Sequence, residues 1–136
     1  MATYNKFQDF IGFLGLKHYN LNTDTINVYA APTASAPSAS ADSVKGDCAG
    51  ITVEHGYDVA DIQNLFSEAT GTGTMTATDV VWTASGGSFG PLQYVLAYNS
   101  TVTDELMAWW DYASAVTVLT GETFTVDFGA SVFTIA

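Results

Sequence analysis

The sequence contains no arginine and only three lysines, so it has little positive charge. Fourteen acidic residues stand against those lysines and give a formal net charge of −11 at pH 7. This charge repels nucleic-acid phosphates, and the guanidinium group that reads guanine or grips phosphate is missing. We therefore expect no nucleic-acid partner.

Cysteine and long apolar runs are also scarce. The single Cys48 cannot form an intrachain disulfide, so the fold cannot depend on oxidation. The longest apolar stretch, from Phe10 to Leu16, is too short to cross a bilayer. The first residues, MATYNKFQDF, lack the charged-then-apolar order of a signal peptide. We expect a protein made in the cytoplasm of a host cell, with no membrane partner.

Apolar residues are plentiful. Of the 136 residues, 48% are hydrophobic and 13% are aromatic, which is enough for a core without metals or disulfides. A chain of this length is predicted to form a single domain over residues 1–136.

The N-terminus has the spacing of a short amphipathic helix. The apolar side chains at positions i, i+3, i+4 and i+7 are Phe7, Phe10, Ile11 and Leu14. Asn5 and Gln8 stand at capping-box spacing, and Gly15 is suited to the end of a helix. The sequence therefore predicts a helix over residues 5–15, covering one end of a sheet or reaching a neighbouring subunit.

A strand and a low-complexity segment follow. Ile26, Val28 and Ala30 alternate with other side chains up to Pro32, which predicts a strand that ends there. Residues 31–43 are mainly alanine, serine and proline and have no long apolar side chain. We expect them to form an extended surface loop or arm.

The rest of the chain has the pattern of a β-protein. Residues 59–66 are ambiguous between helix and strand. The expected strands lie at 51–53, 70–78, 80–83, 92–98, 106–112, 116–119, 124–128 and 132–135, the last two as a hairpin. Many short strands between turn signals predict a mainly β fold, a β-sandwich or jelly-roll-like domain.

Two adjacent tryptophans, Trp109 and Trp110, must face opposite sides of a strand. Leu106, Ala108, Trp110 and Tyr112 are expected on one face, with Met107, Trp109 and Asp111 on the other. One tryptophan can enter the core. The other is expected to meet a second layer or a neighbouring subunit, or alternatively to form a stacking platform for carbohydrate.

Patterns of catalytic residues are weak. Cys48, His55 and Asp58 could supply a zinc cluster, but loop polar residues around a buried thiol explain them more simply. The run GGSFG at 86–90 matches GxSxG, yet Pro91 and a strand follow where a nucleophile elbow needs a helix. The sequence therefore predicts a protein that is not an enzyme and has no catalytic residues, cofactor or metal.

Three stretches resemble small virion structural proteins of tailed bacteriophages. They are NKFQDFIGFLGLKHYNLNTDTINVYA (5–30), DVVWTASGGSFGPLQYVLAYNST (79–101) and LMAWWDYASAVTVLTGETFTVDF (106–128). The resemblance implies a capsid decoration (cement) protein that binds and stabilises the outer surface of the head shell. It implies the major capsid protein as partner, self-association into a homotrimer, and location on the virion.

The candidate contact residues on this reading lie in the predicted helix, the arm and the aromatic strands. They are Phe7, Phe10, Pro32, Pro37, Phe89 and Trp109. Two other functions stay open, a carbohydrate-binding or host-adhesion module of the virion and a tail-tube or connector protein.

Overall fold

The computed structural model describes residues 2–136 as an antiparallel β fold with one α-helix. The elements are β1 (Thr3–Lys6), α1 (Asp9–Gly15), β2 (Ile26–Ala31), β3 (Ala60–Asp61), β4 (Leu65–Ala69), β5 (Thr72–Thr76), β6 (Val80–Thr83), β7 (Phe89–Asn99), β8 (Glu105–Val118), β9 (Thr123–Val126) and β10 (Phe133–Ile135).

The strands form three sheets. A five-stranded sheet has the order β1-β8-β7-β2-β3, a three-stranded sheet the order β10-β5-β4, and a two-stranded sheet pairs β6 with β9. The main core lies between the five-stranded sheet and the two smaller ones, and every sheet contributes side chains to it. The prediction of a mainly β, sandwich-like fold is confirmed.

The large sheet is buried on both faces along β7. Val95 and Ala97 enter the main core, while Leu96 and Tyr98 enter a second apolar cluster on the opposite face. Its apolar run is therefore the sequence expected of a strand with no solvent face. The second cluster consists of Phe7, Tyr29, Ala31, Cys48, Tyr94, Leu96, Tyr98 and Leu106.

The segment predicted as an extended arm covers that second face. Ala31 belongs to β2, and residues 32–50, here called the cover loop, lie across the sheet. The Ala39 carbonyl accepts a hydrogen bond from the Gln8 amide, and the Ser43 carbonyl accepts one from the Leu106 amide, both at 2.9 Å. The predicted surface loop rich in alanine, serine and proline is therefore confirmed, and these hydrogen bonds hold it against the sheet.

The N-terminal helix is shorter than predicted. Residues Thr3–Lys6 pair with β8, and the helix begins only at Asp9 after a Gln8 cap that makes no side-chain hydrogen bond. The Asn5 side chain bonds the Thr3 carbonyl instead of capping a helix. Seven helical residues are marginal in isolation, whereas four residues paired with an existing strand gain a hydrogen-bonded edge.

The other strand predictions have mixed outcomes. Residues 51–53 are not a strand. Within 59–66, Ala60–Asp61 and the start of β4 are strand residues, and residues 62–64 between them have no regular structure. The predicted strands 106–112 and 116–119 are one continuous strand, apart from Leu119. The expected C-terminal hairpin is wrong, because β9 pairs with β6 while β10 pairs with β5 in another sheet.

Two irregularities in β8 alter the predicted faces. The pairing moves from Ala97–Ala108 to Tyr98–Leu106, so β8 has one extra residue there. Leu106 therefore joins the second cluster rather than sharing a face with Ala108 and Trp110. Further along, Asp111 and Val116 pair with Tyr94 and Leu92, which leaves a wide bulge in β8. A bulge cannot be read from alternation, because it shifts the period that the alternation assumes.

Candidate interaction surface

Three of the six candidate contact residues lie inside the protein. Phe7 is 0% exposed, and Phe10 and Phe89 are 1% exposed. Phe10 and Phe89 belong to the main core, and Phe7 packs in the second cluster. Their side chains hold the fold together and are out of reach of a partner, which corrects their assignment as contact residues.

The other three candidates, Pro32, Pro37 and Trp109, are half-buried. Trp109 packs against Phe7 with ring centroids 4.6 Å apart, so this tryptophan meets a second layer within its own chain. Trp110 is buried in the main core on the opposite face, as the alternation predicts. The structure therefore does not gather the six residues into one surface.

Polar groups at the end of the cover loop fasten it in place. The Asp42 carboxylate accepts hydrogen bonds from the Ser38 amide at 2.7 Å and from the Cys48 thiol at 3.2 Å. Tyr29 donates its hydroxyl to the Cys48 carbonyl at 2.8 Å. Burial, together with Asp42, raises the pKa of Cys48 to about 12. At neutral pH this group is a thiol rather than a nucleophilic thiolate.

The two histidines and Cys48 each have a different partner. His55 Nδ1 lies 2.8 Å from the Ser88 carbonyl, while Cys48 is engaged with Asp42. His18 Nδ1 lies 2.8 Å from Glu105 Oε1, and that carboxylate is buried. Within residues 2–136, no group of three histidine, cysteine, aspartate or glutamate residues is placed to hold a metal ion.

An apolar surface is found instead where α1 meets β10. The side chains that form it, here called the helix patch, are Ile11, Leu14, Phe133 and Ile135. Ile11 is 54% exposed and Ile135 is 44% exposed. Between α1, β10 and the outer edge of β1 lies a groove of about 310 Å³. Exposed apolar side chains gathered in this way mark interaction surfaces more often than scattered ones do.

The helix patch differs in charge from the rest of the molecule. The residues lining its groove include Lys6 and no aspartate or glutamate. Lys17 lines the neighbouring concavity with Leu14 and Ile135, and Asp24 lines it too. Two of the three lysines in the sequence therefore flank one apolar surface. Lys45 is elsewhere, with its Nζ 4.9 Å from the ring centroid of Tyr98.

The composition of α1 indicates this patch, although the spacing of its apolar residues does not. Apart from Asp9, every α1 side chain is apolar or absent. Such a helix cannot bury all its sides against one sheet, so some must face outward. Phe10 is buried and Ile11 is exposed although both belong to the predicted stripe. The angle at which the helix docks on the sheet decides that Phe10 is buried and Ile11 is exposed.

No protein family model matches the sequence, and comparisons with curated proteins and with solved structures return no significant match. No helix within residues 2–136 has the length and apolar character needed to span a membrane. The helix patch is therefore identified by its own geometry and chemistry.

Proposed function

We propose that this chain is a non-enzymatic structural protein of a tailed-bacteriophage virion that binds the outside of the head shell as a cement protein. The observation that carries the proposal is the helix patch, an apolar surface whose groove lacks acidic residues, on a chain of net charge −11. The resemblance of residues 5–30, 79–101 and 106–128 to such proteins supplies the class of partner.

The charge distribution supports contact through the patch. Acidic surfaces of neighbouring copies repel one another, and an apolar groove lined by Lys6 and by no carboxylate is the place where a partner can approach at a lower cost. Burying a Leu or Ile side chain stabilises a contact by about 1.5–3 kcal/mol. If three copies of the chain bind the symmetric shell as one homotrimer, three patches bind together. A modest interface on each copy is then enough for stable attachment.

The test uses head shells prepared without this protein, to which purified protein is added and its occupancy measured by sedimentation. We expect Ile11→Asn to weaken binding by about tenfold or more, because it removes the most exposed apolar side chain of the patch. Leu119→Asn is the matched control, since Leu119 is 56% exposed at the end of β8. The control should bind as the unmodified protein does.

Equal occupancy for Ile11→Asn and the unmodified protein would exclude the helix patch as the contact. If intact head shells bind none of the unmodified protein at any concentration added, the proposed function itself is overturned. Circular dichroism of each variant shows whether a loss of binding comes from a loss of fold.

A further inference from the structure

A second concavity lies beside β1, on the side of the main core. It is enclosed by β1, β8 and the segment that joins β9 to β10, and its volume is about 440 Å³. Cavities of this size are typical of small-ligand sites. Its lining includes Tyr4, Trp110, Tyr112 and Phe128 together with Asp127 and Ser131, and it is called here the aromatic cavity.

The rings of the aromatic cavity are held in fixed orientations. Tyr4 and Trp110 pack edge-to-face with centroids 5.7 Å apart, and Trp110 and Phe128 do the same at 5.3 Å. The ring of Phe124 packs edge-to-face against the ring of Tyr112, with centroids 4.9 Å apart. Since these contacts exist without a ligand, the rings lose little conformational freedom when one binds.

A carboxylate is the one charged group among the lining residues. Asp127 Oδ1 accepts a hydrogen bond from the Gly129 amide at 2.7 Å, which fixes the side chain. Among residues 2–136, the cavity lining contains no lysine or histidine side chain, and Asp127 is exposed to solvent. Burial raises the pKa of Tyr4 and of Tyr112 to about 12, with Asp127 contributing to the second. Both hydroxyls are therefore neutral at physiological pH and add no charge to the cavity.

The backbone beside the cavity is also unusual. Directly after Asp111, β8 leaves its pairing with β7, and Ala113 has a φ of 67°. A non-glycine residue in this region is uncommon and costs of order 1 kcal/mol or more. The Asp111 carboxylate supports this kink by accepting the Ala113 amide at 2.7 Å. Bulges of this kind are over-represented next to functional sites, where they redirect a side chain.

We propose that the aromatic cavity binds one organic cation, an alkylammonium or guanidinium group, with the rings in contact with it and Asp127 as its counter-ion. Aromatic rings attract cations through their quadrupole, most strongly where water is excluded. The net charge of −11 attracts cations and disfavours anionic ligands. The cation is supplied by a lysine or arginine side chain of the head shell. Only this identification of the source rests on the proposed function.

The probe for the cavity is choline, compared with its uncharged carbon analogue 3,3-dimethylbutan-1-ol. Binding is followed by NMR on the indole N–H of Trp110, assigned with Trp110→Phe, and the indole N–H of buried Trp82 is the internal reference. We expect saturable binding of choline at least about tenfold tighter than binding of the alcohol. Asp127→Asn keeps the side-chain shape and should lose about that factor.

The matched control is Asp104→Asn, which removes the same charge at an exposed residue outside the cavity lining. It should leave choline binding within about twofold, since exposed charges beyond a Debye length are largely screened. Equal binding of choline and the alcohol would overturn the proposal, and so would equal losses in the two variants. Binding of methyl glucoside with no response to choline would assign the cavity to saccharides and overturn it as well.

Head shells distinguish the sources of the cation. If the shell supplies it, Asp127→Asn should lower occupancy while Asp104→Asn does not. Normal occupancy of Asp127→Asn, beside lost choline binding, would overturn the shell as the source and leave the cavity as a site for a free cation. Because choline binding is measured without shells, its outcome is independent of the proposed function.

Discussion

Neighbouring residues at the N-terminus have opposite environments. Phe7 is completely buried beneath the cover loop, whereas Ile11 is more than half exposed on the helix patch. Both are apolar and both belong to the predicted helical stripe, so hydrophobicity alone does not distinguish them. What separates them is that Phe7 follows a strand and Ile11 lies within a helix.

This difference gives a prediction for stability. Phe7→Ala should lower the free energy of unfolding by about 3–5 kcal/mol, because it removes a buried ring and leaves a cavity. Ile11→Ala should change it by less than about 0.5 kcal/mol, since the side chain is exposed and alanine favours a helix. Urea unfolding followed by circular dichroism measures both values. Similar losses in the two variants would contradict the burial assigned to Phe7.

The cover loop is the element whose contacts the sequence pattern left open. It conceals aromatic side chains of the large sheet, among them Tyr29 and Tyr98. A segment of small residues contributes little buried area of its own, but it excludes water from the area beneath it. Deletion of such a segment is therefore expected to affect the fold, and not only partner contacts.

Replacing residues 33–41 with a three-residue glycine–serine linker tests this role. We expect the free energy of unfolding to fall by about 1–3 kcal/mol, since the Gln8 amide loses the Ala39 carbonyl that accepts its hydrogen bond. Binding of the dye ANS should rise if the rest of the cover loop also lifts from the second cluster. As a control, two glycines inserted at the Thr70–Gly71 hairpin turn should leave ANS binding unchanged. Unchanged stability after the replacement would show that the loop is a free arm.

Over the whole molecule, buried tyrosines link stability to alkaline pH. Burial raises the pKa of Tyr4, Tyr57 and Tyr112 to about 12, and it raises the pKa of Tyr19 and Tyr29 further. Tyrosine in an unfolded chain has a pKa of about 10. The folded state therefore favours the neutral hydroxyl. This contribution to stability is complete below about pH 10 and is lost as the pH rises towards 12.

We accordingly expect the protein to unfold cooperatively between about pH 10 and 12. Tyrosinate absorbance and circular dichroism should change together across this range, because ionisation of the buried hydroxyls requires unfolding. Tyrosines that ionise fully near pH 10 without loss of structure would contradict their burial.

Sequence patterns predicted the elements better than their connections. The strands at 80–83 and 92–98 follow from β-branched and apolar runs, and β2 ends at Pro32 as expected. Alternation also placed Trp109 and Trp110 on opposite faces. These features depend on neighbouring residues, so a local reading can find them. The pairing of β9 with β6 joins residues far apart in the chain, which no local pattern specifies.

The sequence by itself determined the β class of the fold and the large negative net charge of the chain. Those properties depend on residue type and on short-range periodicity. Only the tertiary structure decided that the small-residue segment covers a sheet, that the predicted contact phenylalanines are buried, and that Ile11 and Leu16 face outward. It alone brought Asp127 to the rings of Tyr4 and Trp110. Such juxtapositions depend on strand pairing and on the bulges in β8, which are set by packing across the whole molecule rather than by adjacent residues.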